Sequence, residues 1–323
     1  MPESSPSALV IRLDGIGDAL ALVPLIAALR ANAVDVDVVL RSGNAGIFSS
    51  RAVRSVAIAD FALRSSTRSN LAAVERFGHT LAARKYTHAL VATEDPSRYR
   101  LAMASHAPVR VGFSNAWGKP AKTLWTRRFL TQRVFRSAGL DPRAPHECCV
   151  LFQLGRTLLA PSAQPQRDLA LLRPFVLERE PANDPRIAVQ ITDKWERLKV
   201  EFADVVELIR RLQSFGSLRL FAATHERAYA QRIATATGNS VEEFTGLEPW
   251  KAAIAAAPVL IAPDGGALHV AGMVGTPVVG VFPPQRGFAL QVARWAPWAA
   301  PHRIVKADAG WPRRAADALA QLL

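Results

Sequence analysis

Two turns in this chain combine acidic residues with glycine in patterns that could do chemistry. The first is Arg12-Leu13-Asp14-Gly15-Ile16-Gly17-Asp18, between an apolar run and a helical pattern. Its glycines allow a tight turn and close approach of a ligand, and Asp18 lands in the first helical turn. The turn is neither a Gly-x-Gly-x-x-Gly nucleotide motif nor a phosphate loop with its lysine, and its carboxylates would repel phosphate. The close approach that its glycines allow leaves a ligand-binding reading open. An Asp at a helix start also caps free N–H groups; Asp14 fits that role, while Asp18 lies one step further in. On these residues alone, both readings stand.

The second turn is Ala262-Pro263-Asp264-Gly265-Gly266-Ala267-Leu268-His269, again between an apolar strand pattern and a helix. Backbone N–H groups of Gly265, Gly266 and Ala267 would point out of the helix start, which suits a diphosphate. Taken alone, Asp264 reads as a cap and His269, one turn in, as a satisfied core or surface group. A metal at Asp264 and His269 would lack a third ligand at suitable spacing, so no metal is expected.

The elements that must hold these turns alternate between β-type runs and helical patterns, the arrangement of parallel sheets covered by helices. In the first half, strands are predicted at Ala8–Leu13, Val36–Leu40, Ser55–Ala59, His88–Thr93 and Val109–Phe113, with helices over Ala19–Ala31 and Leu71–Arg84. Pro161, Pro165, Pro174, Pro181 and Pro185 crowd a stretch without periodicity, as in a semi-rigid linker. Beyond it, strands are predicted at Ile187–Ile191, Leu218–Ala222, Val259–Ala262 and Val278–Phe282, with a weak one near Ile304. Helices are predicted over Val200–Gln213, Glu226–Thr237, Pro249–Ala256, from Ala267, and over Pro312–Leu323. The expected division is a Rossmann-like domain over 1–165, a linker over 166–185, a second such domain over 186–305, and a terminal helix over 306–323 packing back on the first domain.

At 323 residues, half of them hydrophobic, the chain can build two cores. Charges interrupt every apolar run short of the ~18 residues a membrane span needs. The segment Met1 to Ser7 lacks the basic start of a secretory signal, which points to a cytoplasmic protein. Cys148 and Cys149 are adjacent, where a mutual bridge would be strained, so they read as buried thiols in a helix. The net charge of +13 is concentrated: between Arg51 and Arg136 there are 16 Lys/Arg against 4 Asp/Glu. Such a face attracts anionic partners. Its interleaving with Trp117, Trp125, Phe129 and Phe135 would suit a membrane interface or single-stranded nucleic acid, and a merely solvated arginine-rich surface is the plainer alternative.

Taken together, the two turns resemble glycosyltransferase family 9, the bacterial heptosyltransferases of lipopolysaccharide core synthesis. The residues carrying the match are Arg12, Asp14, Ile16, Gly17, Asp18 and Pro24, then Asp264, Gly266, His269, Ala271, Gly275, Thr276, Pro277 and Phe282. His146 is similar to the family's histidine at that place. The resemblance implies an α/β protein of GT-B fold, two facing Rossmann-like domains with a cleft between them. It also implies inverting, metal-independent transfer of a heptose or related sugar from an ADP-sugar to an anionic glycan such as the lipopolysaccharide core.

By the same resemblance, Asp18 is the general base. Thr192, Lys194, Glu226, Asp264, Gly265, Gly266, Ala267 and His269 bind the donor, with Lys194 against the phosphates and Glu226 on the ribose. Asp14, Arg64, Arg68 and Arg98 lie on the acceptor side. No cofactor beyond the ADP-sugar co-substrate and no nucleic acid are expected; peripheral contact with the cytoplasmic face of the inner membrane is. The other function consistent with the fold is a catalytically silent nucleotide-sugar or membrane-surface binding module. Three departures leave the donor's identity open. Lys194, Arg197 and Lys199 compete where the family reads Lys-x-Trp-Pro, Gly265 stands where Ser or Thr is usual, and Phe282-Pro283-Pro284 replaces Phe-Gly-Pro.

Overall fold

The run Ser7-Ala8-Leu9-Val10-Ile11 is buried at every position rather than alternating, the pattern of a strand covered on both faces. It forms β1 (Ser7–Ile11), inside the first of two sheets. The computed structural model describes residues 5–61, 67–137 and 143–323, and the chain divides into two units, Met1–Gln166 and Arg167–Leu323.

In the first unit, β1 is followed by α1 (Ile16–Leu20), α2 (Val23–Ala31), β2 (Asp35–Leu40), β3 (Ser55–Ile58), α3 (Arg68–Ala82) and β4 (His88–Val91). Then come α4 (Pro96–Ala104), β5 (Val109–Ser114), α5 (Pro120–Thr126), β6 (Gln132–Phe135) and α6 (Glu147–Phe152). The strands pair in parallel in the order β3-β2-β1-β4-β5-β6. That is the doubly wound order, whose carboxyl ends carry ligand-binding turns. The single helix expected over Ala19–Ala31 is two, because Pro24 has no N–H to give a continuous ladder and instead sits in the first turn of α2. In this unit α4, α5 and β6 were not anticipated. Helix α4 buries the polar Ser97 and Arg98 and leaves the apolar Met103 exposed, so it shows no apolar stripe; strand β6 is an edge strand whose Gln132, Arg133 and Phe135 face solvent. Helices α3 and α4 approach closely at Gly78, where a β-carbon would come within 2.6 Å of the Ala104 β-carbon. Cys148 is buried and Cys149 half-buried in α6, and among the described residues neither forms a disulfide.

The second unit runs α7 (Leu169–Leu172), β7 (Ile187–Gln190), α8 (Lys194–Arg197), α9 (Phe202–Leu212), β8 (Leu218–Ala223), α10 (Arg227–Thr237) and β9 (Val241–Phe244). It continues with α11 (Leu247–Ala256), β10 (Leu260–Pro263), α12 (Gly266–Val274), β11 (Val278–Phe282), α13 (Phe288–Trp295), β12 (His302–Lys306) and α14 (Trp311–Ala320). Its order, β12-β11-β10-β7-β8-β9, repeats the first unit's winding.

Two expectations about boundaries change. The stretch expected as a linker is packed against the second unit: Leu172 and Val176 are buried, and the buried Lys251 donates to the carbonyl of Val176 at 2.6 Å. The terminal helix, expected on the first domain, lays Trp311, Ala315, Ala318 and Leu319 into the second unit's own core. Trp311 stacks on Trp195 with centroids 5.5 Å apart, a contact worth about 0.5–1.5 kcal/mol beyond area burial, and its Nε1 donates to Asp204 at 3.1 Å. Among the described residues no helix is long and apolar enough to cross a membrane.

Candidate active site

In the first unit, the turn after β1 is organised by Arg12, a buried cation with carboxylates on two sides. Its Nε lies 3.1 Å from Asp14 Oδ2, one Nη donates to Asp18 Oδ1 and the other to the carbonyl of Ala92. Behind it, Glu147 Oε1 lies 3.7 Å away. Burial alone would lower the Arg12 pKa, but Asp18, Asp14 and Glu147 more than offset this and raise it. Glu147 is itself fully buried and is held by Arg136 Nη2 at 2.7 Å. The second oxygen of Asp18 accepts from the N–H of Gly15 at 3.0 Å. The capping role therefore falls to Asp18 and not to Asp14, whose backbone carbonyl accepts from Asn44 Nδ2 at 2.8 Å.

An ionised carboxylate has about four acceptor positions. Arg12 and Gly15 occupy one on each oxygen of Asp18, fixing its orientation while leaving positions for a hydroxyl group. An open concavity of about 620 Å³ lies in front, lined by Asp14, Gly15, Asp18, Arg41, Ser42, Gly43 and Asn44.

The three arginines expected on the acceptor side separate. Arg64 lies outside the described residues. Arg68 is exposed at the start of α3. Arg98 is 1 % exposed, and its Nε and both Nη atoms make no hydrogen bond among the described residues. The nearest carboxylate oxygen is that of Asp95, at 3.9 Å. Burial is the main cause holding the Arg98 pKa below its ordinary value; Asp95 and Asp14 oppose this, and Arg41 adds to it. A buried guanidinium without hydrogen bonds is costly, and an anion bound against it would supply what it lacks.

In the second unit, Thr192 and Lys194 follow β7, Glu226 follows β8, and Asp264 to His269 follow β10, so one edge of the sheet gathers them all. Thr192 Oγ1 donates to Glu226 Oε1 and accepts from the N–H of Lys194 at 3.1 Å. Burial, against the hydrogen bonds from Thr192 and the Ala223 N–H, pushes the Glu226 carboxyl above its ordinary value. The ammonium of Lys194 lies over Gly265: a β-carbon there would come within 3.1 Å of Nζ. Arg197 turns to the surface and pairs with Asp193 at 2.6 Å, and Lys199 is exposed. Of the three competing cations, Lys194 is the one against the turn. Gly265 is the N-cap of α12 and brings no side chain to its first N–H groups, so these N–H groups and Lys194 together form a cradle for an anion.

Helix α13 supplies what sequence reasoning missed. Gln291 Nε2 donates to Asp264 Oδ2 at 3.1 Å, and the ring of Trp295 meets His269 edge-on with centroids 5.6 Å apart. No motif marks either residue. Arg41 and Glu147 were missed for the same reason, since each acts through a fold contact. Among the described residues no group of three or more His, Cys, Asp or Glu side chains is placed to hold a metal.

The profile of glycosyltransferase family 9 (heptosyltransferase) matches residues 74–317. A search of curated protein sequences finds no match. Among solved structures, the chain is similar to the E. coli heptosyltransferase WaaC with ADP, at 19% identity and a TM-score of 0.74, covering 98% of this chain and 100% of that one. It is also similar to E. coli ADP-heptose lps heptosyltransferase II, at 17% identity and a TM-score of 0.70, covering 98% of each chain. A family 9 glycosyl transferase from Veillonella parvula gives 15% identity and a TM-score of 0.70 over 95% of this chain and 87% of that one. These likenesses show the GT-B fold.

Proposed function

The chain belongs to glycosyltransferase family 9, and from that premise we propose that it moves a heptose or related sugar from an ADP-sugar to a hydroxyl of an anionic glycan, with inversion. In this reading the acceptor oxygen bonds to the anomeric carbon as the bond to the diphosphate breaks. The proton passes to Asp18 and ADP leaves. The observation that carries the proposal is the setting of Asp18: a carboxylate fixed by Arg12 and the Gly15 N–H at the edge of an open concavity. A base so held can hydrogen-bond the hydroxyl throughout and accept its proton late, as the glycosidic bond forms.

The second unit supports the donor half. The α12 N-terminus and Lys194 would stabilise the leaving diphosphate without a metal, and Glu226, tied to Thr192, would hold the ribose hydroxyls. Asp264 and His269, steadied by Gln291 and Trp295, would line the same donor site. On the acceptor side, the Arg98 guanidinium, which makes no hydrogen bond among the described residues, and the exposed Arg41 suit a phosphate or carboxylate, with Asp14, Arg64 and Arg68 as further contacts. The acceptor would then be a lipopolysaccharide-core or similar glycolipid on the cytoplasmic face of the inner membrane. Calorimetric titration with ADP-heptose, UDP-glucose and GDP-mannose tests the donor: ADP-heptose is expected to bind tightest, and absence of binding by all three would overturn the proposal.

A further inference from the structure

We propose that the corner of the first unit formed by β5, β6 and α5 is a docking surface for an anionic lipid bilayer. Among the described residues Trp117, Phe135 and Leu124 are the most exposed large apolar side chains, at 92 %, 65 % and 64 %. The fold gathers them. Phe135 of β6 pairs with Ser114 at the end of β5, Asn115 Nδ2 donates to the Arg136 carbonyl at 2.9 Å, and Thr123 Oγ1 of α5 donates to the Ala116 carbonyl at 3.0 Å. Trp117 thus projects from a pinned turn. Directly before it, Ala116 has φ +46°, a left-handed conformation that costs a residue with a β-carbon free energy.

The unpaired charge around these side chains has one sign. Lys119, Arg127, Arg128 and Arg133 are exposed, and none makes an ion pair among the described residues. Several surface arginines elsewhere are paired, as Arg186 is with Asp184, Arg211 with Glu207 and Arg227 with Glu243. The corner's own carboxylate, Glu94, is taken by Lys122 at 3.3 Å and Asn115 at 2.8 Å. Uncompensated cations around an exposed indole and an aliphatic side chain match the boundary of an anionic membrane, where Trp sits at headgroup level and each cation contributes. Stacked nucleic-acid bases would leave Leu124 without a role.

Placement gives the surface a purpose. In a parallel sheet, the ends of β5 and β6 share an edge with the turn after β1, and three strand spacings amount to about 14 Å. A bilayer at this corner would bring a lipid-anchored acceptor near Asp18. That purpose rests on the proposed transfer; the docking itself does not.

Co-sedimentation of the full chain with vesicles of phosphatidylethanolamine and phosphatidylglycerol, set against phosphatidylcholine alone, tests the inference. Binding to the anionic vesicles only is expected, about tenfold weaker in a Trp117→Ser/Leu124→Ser variant. Arg127→Gln and Arg128→Gln should each weaken it about fivefold. All variants alter exposed side chains, so calorimetric ADP binding should be retained and reports that they are folded. Equal binding to both vesicle types, or variants that bind like the natural chain, would overturn the inference. So would tight oligonucleotide binding lost in the double variant. Transfer to a delipidated acceptor, measured alongside, separates the two readings. Vesicle binding without transfer supports docking and sinks the enzymatic reading, whereas transfer without vesicle binding does the reverse.

Discussion

Arg12 donates to the carboxylate of Asp18 from a buried position, so the residue proposed to take the acceptor's proton is oriented from behind by a cation that solvent does not reach. Glu147 and Arg136 continue the arrangement into the unit. The carboxylate is fixed before any ligand arrives, which is the preorganisation a general base requires.

Asp18→Asn keeps the shape and one of the two hydrogen bonds that the carboxylate accepts from Arg12 and Gly15, and removes proton acceptance. Transfer should fall by about 10²–10⁴-fold, while ADP binding, followed by calorimetry, stays as in the natural chain. A variant that also loses ADP binding would show that Asp18 serves structure and not proton transfer.

Lys194 and Arg197 are expected to differ sharply. Lys194→Ala removes the ammonium over Gly265 and should weaken ADP binding about tenfold or more. Arg197→Ala breaks only an exposed pair with Asp193, worth under about 1 kcal/mol, and should leave ADP affinity nearly unchanged. Equal losses in the two titrations would put the diphosphate elsewhere.

Arg98→Met should separate stability from function. Replacing a buried charge that has no hydrogen bond by an apolar side chain of similar length should leave urea-unfolding stability unchanged or raise it by about 1–4 kcal/mol. The KM for an anionic acceptor should rise with the ADP-sugar KM unaltered. Marked destabilisation would mean that Arg98 serves the fold.

The first unit's acid stability should depend on Asp37. This carboxylate, buried on β2, accepts from Arg54 at 2.7 Å, Arg84 at 2.9 Å and Tyr86 at 2.7 Å. Burial would raise its pKa, yet these hydrogen bonds lower it to about 2. Because the folded value lies below the unfolded one, the contribution is complete above the ordinary carboxyl range, near pH 4, and is lost as pH falls toward 2. Unfolding midpoints measured between pH 5 and pH 2 should drop more steeply for the natural chain than for Asp37→Asn. The variant itself should be about 1.5–3 kcal/mol less stable at pH 7, since Arg54, Arg84 and Tyr86 lose a charged hydrogen-bond acceptor while the two arginines stay within reach of solvent.

The sequence by itself determined the alternation of elements, because period-2 and period-3.6 patterns and turn residues are local properties. The turns at Asp14–Asp18 and Asp264–His269 were visible for the same reason, as was the proline-rich boundary, although the chain beyond Gln166 proved to be packed. Tertiary structure decided what depends on residues far apart in the chain. Helix α4 and strand β6 carry no periodic signal, because one buries the polar Ser97 and Arg98 while exposing Met103, and the other is exposed at an edge. Lys194 was separated from Arg197 and Lys199 only by the close approach of its ammonium to Gly265, about seventy residues on. Glu147 reaches Arg12, and Gln291 reaches Asp264, through folded space alone. A side chain's type can be read from the chain, but its partners, burial and free lone pairs are set by packing, and those are the quantities on which the proposed roles of Asp18, Lys194 and Arg98 turn.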